Sequence, residues 1–140
     1  MGKINLGRVI LGGGVAGVIV DLFEMFLNGG LLASRWTEVM RSIDRPELGT
    51  KAIVAYDIMG FVLGIAAVWT YAAIRPRFGA GVKTAIYAAL VIWFAGYVYA
   101  DVDHMVMGVY PPDLSLTLVG VGLIEIAIAT IAGAWLYKEA

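Results

Sequence analysis

Apolar residues run in four long blocks along the 140-residue chain, broken by short polar stretches. The blocks cover about 6–32, 51–74, 82–104 and 114–137. Each reaches the ~20 residues that a helix rising ~1.5 Å per residue needs to cross ~30 Å of hydrocarbon. The pattern predicts an all-α fold in which residues 1–140 form one integral membrane domain, a four-transmembrane-helix bundle. Proline punctuates it. Arg75-Pro76 is expected to stop the second helix, because proline cannot extend a helix and biases its predecessor away from helical dihedrals. Pro111-Pro112-Asp113 divides the third helix from the fourth, with Asp113 or Ser115 available as an N-cap.

Residues 33–50 behave differently. Within "LLASRWTEVMRSIDRPELGT" (31–50), Leu32, Trp36, Val39, Met40 and Ile43 recur at helical spacing among Arg35, Glu38, Arg41 and Ser42. That predicts a short amphipathic helix between helices 1 and 2, lying on the membrane surface with Trp36 at headgroup level. The alternative is a lid docked over the bundle.

Composition agrees with a membrane protein: 61% of residues are hydrophobic and 15% charged, and mean hydropathy is +0.85. A soluble domain of this size has no interior large enough for so much apolar surface. Lys3 and Arg8 precede the first block in the manner of a signal peptide. The block, however, continues past Val20 to about Leu32, beyond the ~7–15 residues of a signal core, so a retained first span is expected. There is no cysteine, hence no disulfide, thiolate metal site or cysteine nucleophile. The net charge of −1 and the lack of a large basic patch give no sign of a nucleic-acid partner.

Orientation follows from the basic residues. Lys3, Arg8, Arg75, Arg77, Lys83 and Lys138 fall on one side, whereas Arg35, Arg41, Arg45 and Lys51 fall on the other among Glu38, Asp44 and Glu47. The positive-inside rule then places both termini in the cytoplasm.

Acids inside the blocks carry the candidate chemistry. Gly13, Gly17, Asp21, Glu24 and Asn28 step by threes and fours, and so do Asp57, Gly60 and Gly64. Tyr97, Asp101, His104 and Gly108 do the same on the third helix, as do Gly122, Glu125, Ala129 and Ala132 on the fourth. Steps of three and four share a helical face. Every helix thus has one face of small residues plus an acid. Gly13, Gly17, Gly60, Gly64 and Gly122 are expected to let backbones approach closely. A charge facing lipid costs at least ~2.5–3.5 kcal/mol, which turns the acids inward. Asp21, Glu24, Asn28, Asp57, Tyr97, Asp101, His104 and Glu125 are therefore expected to line a carboxylate-rich polar pocket in the outer half of the bundle.

Such acids need protons, cations or donors. One reading is a register-locking network with Asn28, Tyr56, Tyr97, Tyr99 and arginines from the outer loop. A second is a site that binds or conducts protons or cations. A third is a metal-carboxylate redox centre using Glu24, Asp57, Asp101, His104 and Glu125, since di-iron bundles pair acids with Glu-x-x-His. His104 is the one histidine, which leaves that set short. No Ser/His/Asp arrangement has catalytic spacing, so enzymatic activity is not expected. No cofactor is expected either, with a bound metal ion as the alternative.

The segments "LNGGLLASRWTEVM" (27–40), "GFVLGIAAVWTYAAIRPRFGAGVKTA" (60–85) and "VGVGLIEIAIATIAGAWLY" (119–137) resemble small four-helix bacterial inner-membrane proteins of unknown function. The resemblance implies a bacterial inner-membrane location and carries over no functional residue. The expectation is a non-enzymatic membrane protein, self-associating or an accessory subunit of a larger membrane complex, with the lipid bilayer as its surroundings.

Overall fold

The computed structural model describes residues 3–139, which are almost entirely helical. Helix α1 (Leu6–Phe26) continues through a π-helical turn (Leu27–Leu31). Helix α2 (Ala33–Ser42) is short, α3 spans Thr50–Phe78, and α4 spans Val82–Trp93. A second π-helical turn (Phe94–Val98) leads from α4 into α5 (Tyr99–Val106), and α6 spans Pro112–Leu136. Four continuous rods are long and apolar enough to cross a membrane: Leu6–Leu31, Thr50–Phe78, Val82–Val106 and Pro112–Leu136.

Local chemistry explains the boundaries. The Asn5 side chain accepts from the Arg8 N–H at 3.2 Å and caps α1. The expected stop at Pro76 is corrected: α3 runs through Pro76 to Phe78. A proline this close to the C-terminus removes one backbone hydrogen bond where the helix is already ending. The stop falls instead at Gly79, whose φ of 85° and ψ of 167° suit only glycine. The expected cap on α6 is also corrected, because Pro112 occupies the first turn, Pro111 precedes it, and neither Asp113 nor Ser115 caps the helix.

The rods alternate in direction. α1 packs most extensively on α3 and α6, and α4 packs on α6 and α3, so the four spans close into a ring with α3 and α6 touching across it. Glycine decides how tightly. A methyl group on Gly64 would overlap the α1 backbone at Gly13 and Gly17, and one on Gly12 would strike the Gly133 carbonyl of α6. These crossings are held by dispersion between close backbones.

The outward surface is apolar: Leu22, Phe26, Ile58, Phe94, Leu116 and Trp135 are all exposed. α1, α3 and α6 have no polar side of their own, whereas α2 is strongly amphipathic. The start of α1 and the end of α6 meet at one end of the bundle, where the Asn5 N–H donates to the Tyr137 hydroxyl at 3.3 Å. There Tyr137 also packs edge-on against Tyr71, with the Arg75 guanidinium 5.6 Å from its ring centre. The Tyr71 hydroxyl accepts from the Gly81 N–H at 3.2 Å and fixes the turn after α3. α2 closes the opposite end.

Candidate functional site: a buried carboxyl pair

Glu125 lies midway along α6 and is 1% exposed. Three residues earlier Gly122 presents a bare Cα, and the ring of Tyr97 fills the space that a side chain there would take. So seated, the Tyr97 hydroxyl donates to Glu125 Oε1 at 2.6 Å. The other oxygen, Oε2, is buried and has no hydrogen-bond partner in the protein. Gly122 thus serves as the socket for the residue that holds the acid.

Glu24, in the last turns of α1, neighbours Glu125 across the packing of α1 on α6. Its Oε2 accepts from the Asn28 amide. The Asn28 carbonyl oxygen in turn accepts from the Trp36 indole N–H at 2.8 Å. This pair of bonds fixes which end of the amide is oxygen. A continuous polar chain therefore runs from Trp36 on α2 through Asn28 and Glu24 to Glu125 and Tyr97. Asn28 and Tyr97 both sit on π-helical turns. Such turns hold an extra residue and recur at functional sites, because they re-aim the side chains around them.

The end of the bundle beyond this chain is closed by rings. Tyr110 stacks on His104 at 4.7 Å and meets Trp36 edge-on at 5.2 Å. His104 Nδ1 lies 2.6 Å from the Ala100 carbonyl. That oxygen can only accept, so Nδ1 carries the proton. Burial, reinforced by the nearby Tyr56 and Asp101, raises the Tyr110 hydroxyl above the ordinary tyrosine range. Arg35 bridges Glu38 at 2.8 Å and Asp113 at 2.6 Å, tying α2 to the start of α6. Trp36, expected at headgroup level, is thus engaged with the bundle through Asn28 and Tyr110.

Several expected members lie apart. Asp57 is exposed on α3 and does not join the Glu24–Glu125 pair; its neighbour is Asp21. Asp21 is half-buried, with its carboxylate over the bare Cα of Gly60. Asp101 is 9% exposed beside His104, within electrostatic reach of Glu24. Tyr56 and Tyr99 are exposed and take no part, and Arg35 pairs with Glu38 and Asp113 rather than with the inner acids.

Among the described residues, no three of Glu24, Asp57, Asp101, His104 and Glu125 converge on a point that could hold an ion. Two surface concavities lie elsewhere: one of about 280 Å³ between Thr37 and Glu47, and one of about 300 Å³ between Phe94 and Val106.

Sequence reasoning missed Trp36 as a donor, Gly12 against Gly133, and the Trp93 indole N–H that donates to the Val119 carbonyl at 2.8 Å. Gly133 had a signal available, since Gly122, Ile126, Ala129 and Gly133 step by four, three and four. The two π-helical turns have no comparable signature.

Two neighbouring carboxylates repel when both are ionised, the more strongly the lower the surrounding dielectric. Among the described residues no arginine or lysine forms an ion pair with either acid of the pair. The arrangement can hold a small positive charge. Comparison with known families, curated proteins and solved structures finds no match to this chain.

Proposed function

We propose that this chain is a non-enzymatic integral membrane protein, acting as a self-associating bundle or as an accessory subunit of a larger membrane complex. The observation that carries this reading is the inversion of its surfaces. Leu22, Phe26, Ile58 and Leu116 face outward, while Glu125 is buried at mid-helix. In water that distribution is unfavourable, and in hydrocarbon it is the favourable one. Among the described residues, α2 and short connections are what lies outside the four rods, a small surface for recognising a soluble substrate.

The terminal end carries Lys3, Arg8, Arg75, Arg77, Lys83 and Lys138 with Glu139 as its acid. The α2 end mixes Arg35, Arg41, Arg45 and Lys51 with Glu38, Asp44, Glu47, Asp103 and Asp113. This asymmetry supports cytoplasmic termini, with α2 on the outer surface. The bacterial inner membrane is proposed on the sequence resemblance. Reporter fusions at the terminus and within residues 44–49 test the topology, and native mass measurement in lipid discs tests association. A reporter active in the cytoplasm from residues 44–49, or an isolated monomer in lipid, would count against the reading.

A second reading, proton or cation binding, is favoured by one feature: the buried Glu125 Oε2, unpartnered and beside a second carboxyl group. The redox-centre reading has no converging ligand set among the described residues.

A further inference from the structure

Resting on that second reading, we propose that Glu24 and Glu125 form a proton-binding site that holds a single proton between them, across the contact of α1 with α6. The donors already in place define what is lacking. Asn28 supplies one hydrogen bond to Glu24, Tyr97 supplies one to Glu125 Oε1, and Glu125 Oε2 receives none. One proton taken from water makes one carboxyl a donor to the other and completes the pair. The charge of the pair falls from −2 to −1, and no other bond is made or broken.

The surroundings favour a proton over a metal ion. A hard cation takes six or more oxygen ligands. Here the Asn28 carbonyl is engaged by Trp36, and the Tyr97 hydroxyl is committed as a donor. The titratable groups facing the pair are Asp21 from α1, with Asp57 of α3 beyond it, and Tyr97 and Asp101 from the third rod, with His104 behind Asp101. None of these is a lysine or arginine. The neighbouring acids draw positive charge toward the pair.

Infrared spectroscopy of the protein reconstituted in lipid bilayers at neutral pH tests this through the carbonyl stretch of a protonated carboxyl group. One such band per chain is expected, shifted in heavy water and shifted again by 13C-labelled glutamate. Both E24Q and E125Q should abolish it, and D57N should retain it. Survival of the band in either glutamine variant assigns the proton to one acid alone and overturns the sharing. If the glutamine variants do not fold, as judged by lost helical circular dichroism, the isotope result on the wild-type protein decides. A band that moves with labelled aspartate instead, or no band at all, overturns the proposal. A band that appears only after alkali and divalent cations are withdrawn would sink the proton and leave cation binding standing. Two ionised carboxyls whatever the cation would sink both.

Discussion

The aromatic ring of Tyr97 lies against the bare Cα of Gly122 and reaches past it to Glu125, three residues on along α6. One missing side chain therefore sets the position of a buried acid's main donor. Gly122→Ala should force the ring out and cost about 1–3 kcal/mol, the usual range for overpacking. Tyr97→Phe should cost a similar ~1–3 kcal/mol, because it leaves Glu125 buried without its donor. Thermal unfolding in detergent would measure both. Since they break one contact, the double variant should fall short of the sum of the two.

The backbone of Gly64 touches α1 at Gly13 and Gly17, whereas Gly120 on α6 has open space around it. Gly64→Ala should destabilise the bundle by about 1–3 kcal/mol. Gly120→Ala should be neutral or stabilise by up to ~1 kcal/mol, from helix propensity alone. Equal unfolding midpoints for the two variants would contradict the observed crossing.

Trp36 and Asn28 hold α2 to the bundle from inside, and Arg35 holds it from outside. Trp36→Phe should free α2 at a cost of about 1 kcal/mol, seen as faster amide exchange over residues 33–42. Arg35→Ala should cost only ~0.2–1 kcal/mol, with the difference from wild type fading in high salt, because its partners are solvent-exposed.

Tyr110 supplies a pH dependence at the alkaline end. Burial raises its folded-state pKa above the ordinary value of 10.0. In the interval above that value the folded protein binds more protons than the unfolded chain, so stability must fall as pH rises. The stabilising contribution is fully present below pH ~10 and is lost as pH climbs through the raised value. The expected sign is an earlier alkaline release of Trp36, followed by fluorescence, in wild type than in Tyr110→Phe. Identical alkaline profiles would remove Tyr110 from the closure of this end.

Four rods were legible in the sequence because their signal is local and strong: an unbroken apolar run of the right length needs no partner to be recognised. The inward turn of Glu24 and Glu125 was legible for a related reason, since desolvation penalises any other direction at that depth. Asp57 shows the limit. It carries the same step pattern with Gly60, yet it lies near enough to the start of α3 to remain exposed, and it is Asp21 that covers Gly60. The passage of α3 through Pro76 depended on a glycine three residues later.

Secondary structure and the inward-facing acids thus follow from the chain's own periodicity and from the cost of charge in an apolar medium. Which acids meet was decided only by the tertiary structure. Two π-helical turns changed the phase of their helices, and glycines at 12, 64, 122 and 133 set how closely the backbones or rings could approach. Helical periodicity orders residues along one rod. The rotation and depth of one rod against another come from contacts between residues such as Tyr97 and Gly122, which are far apart in the chain.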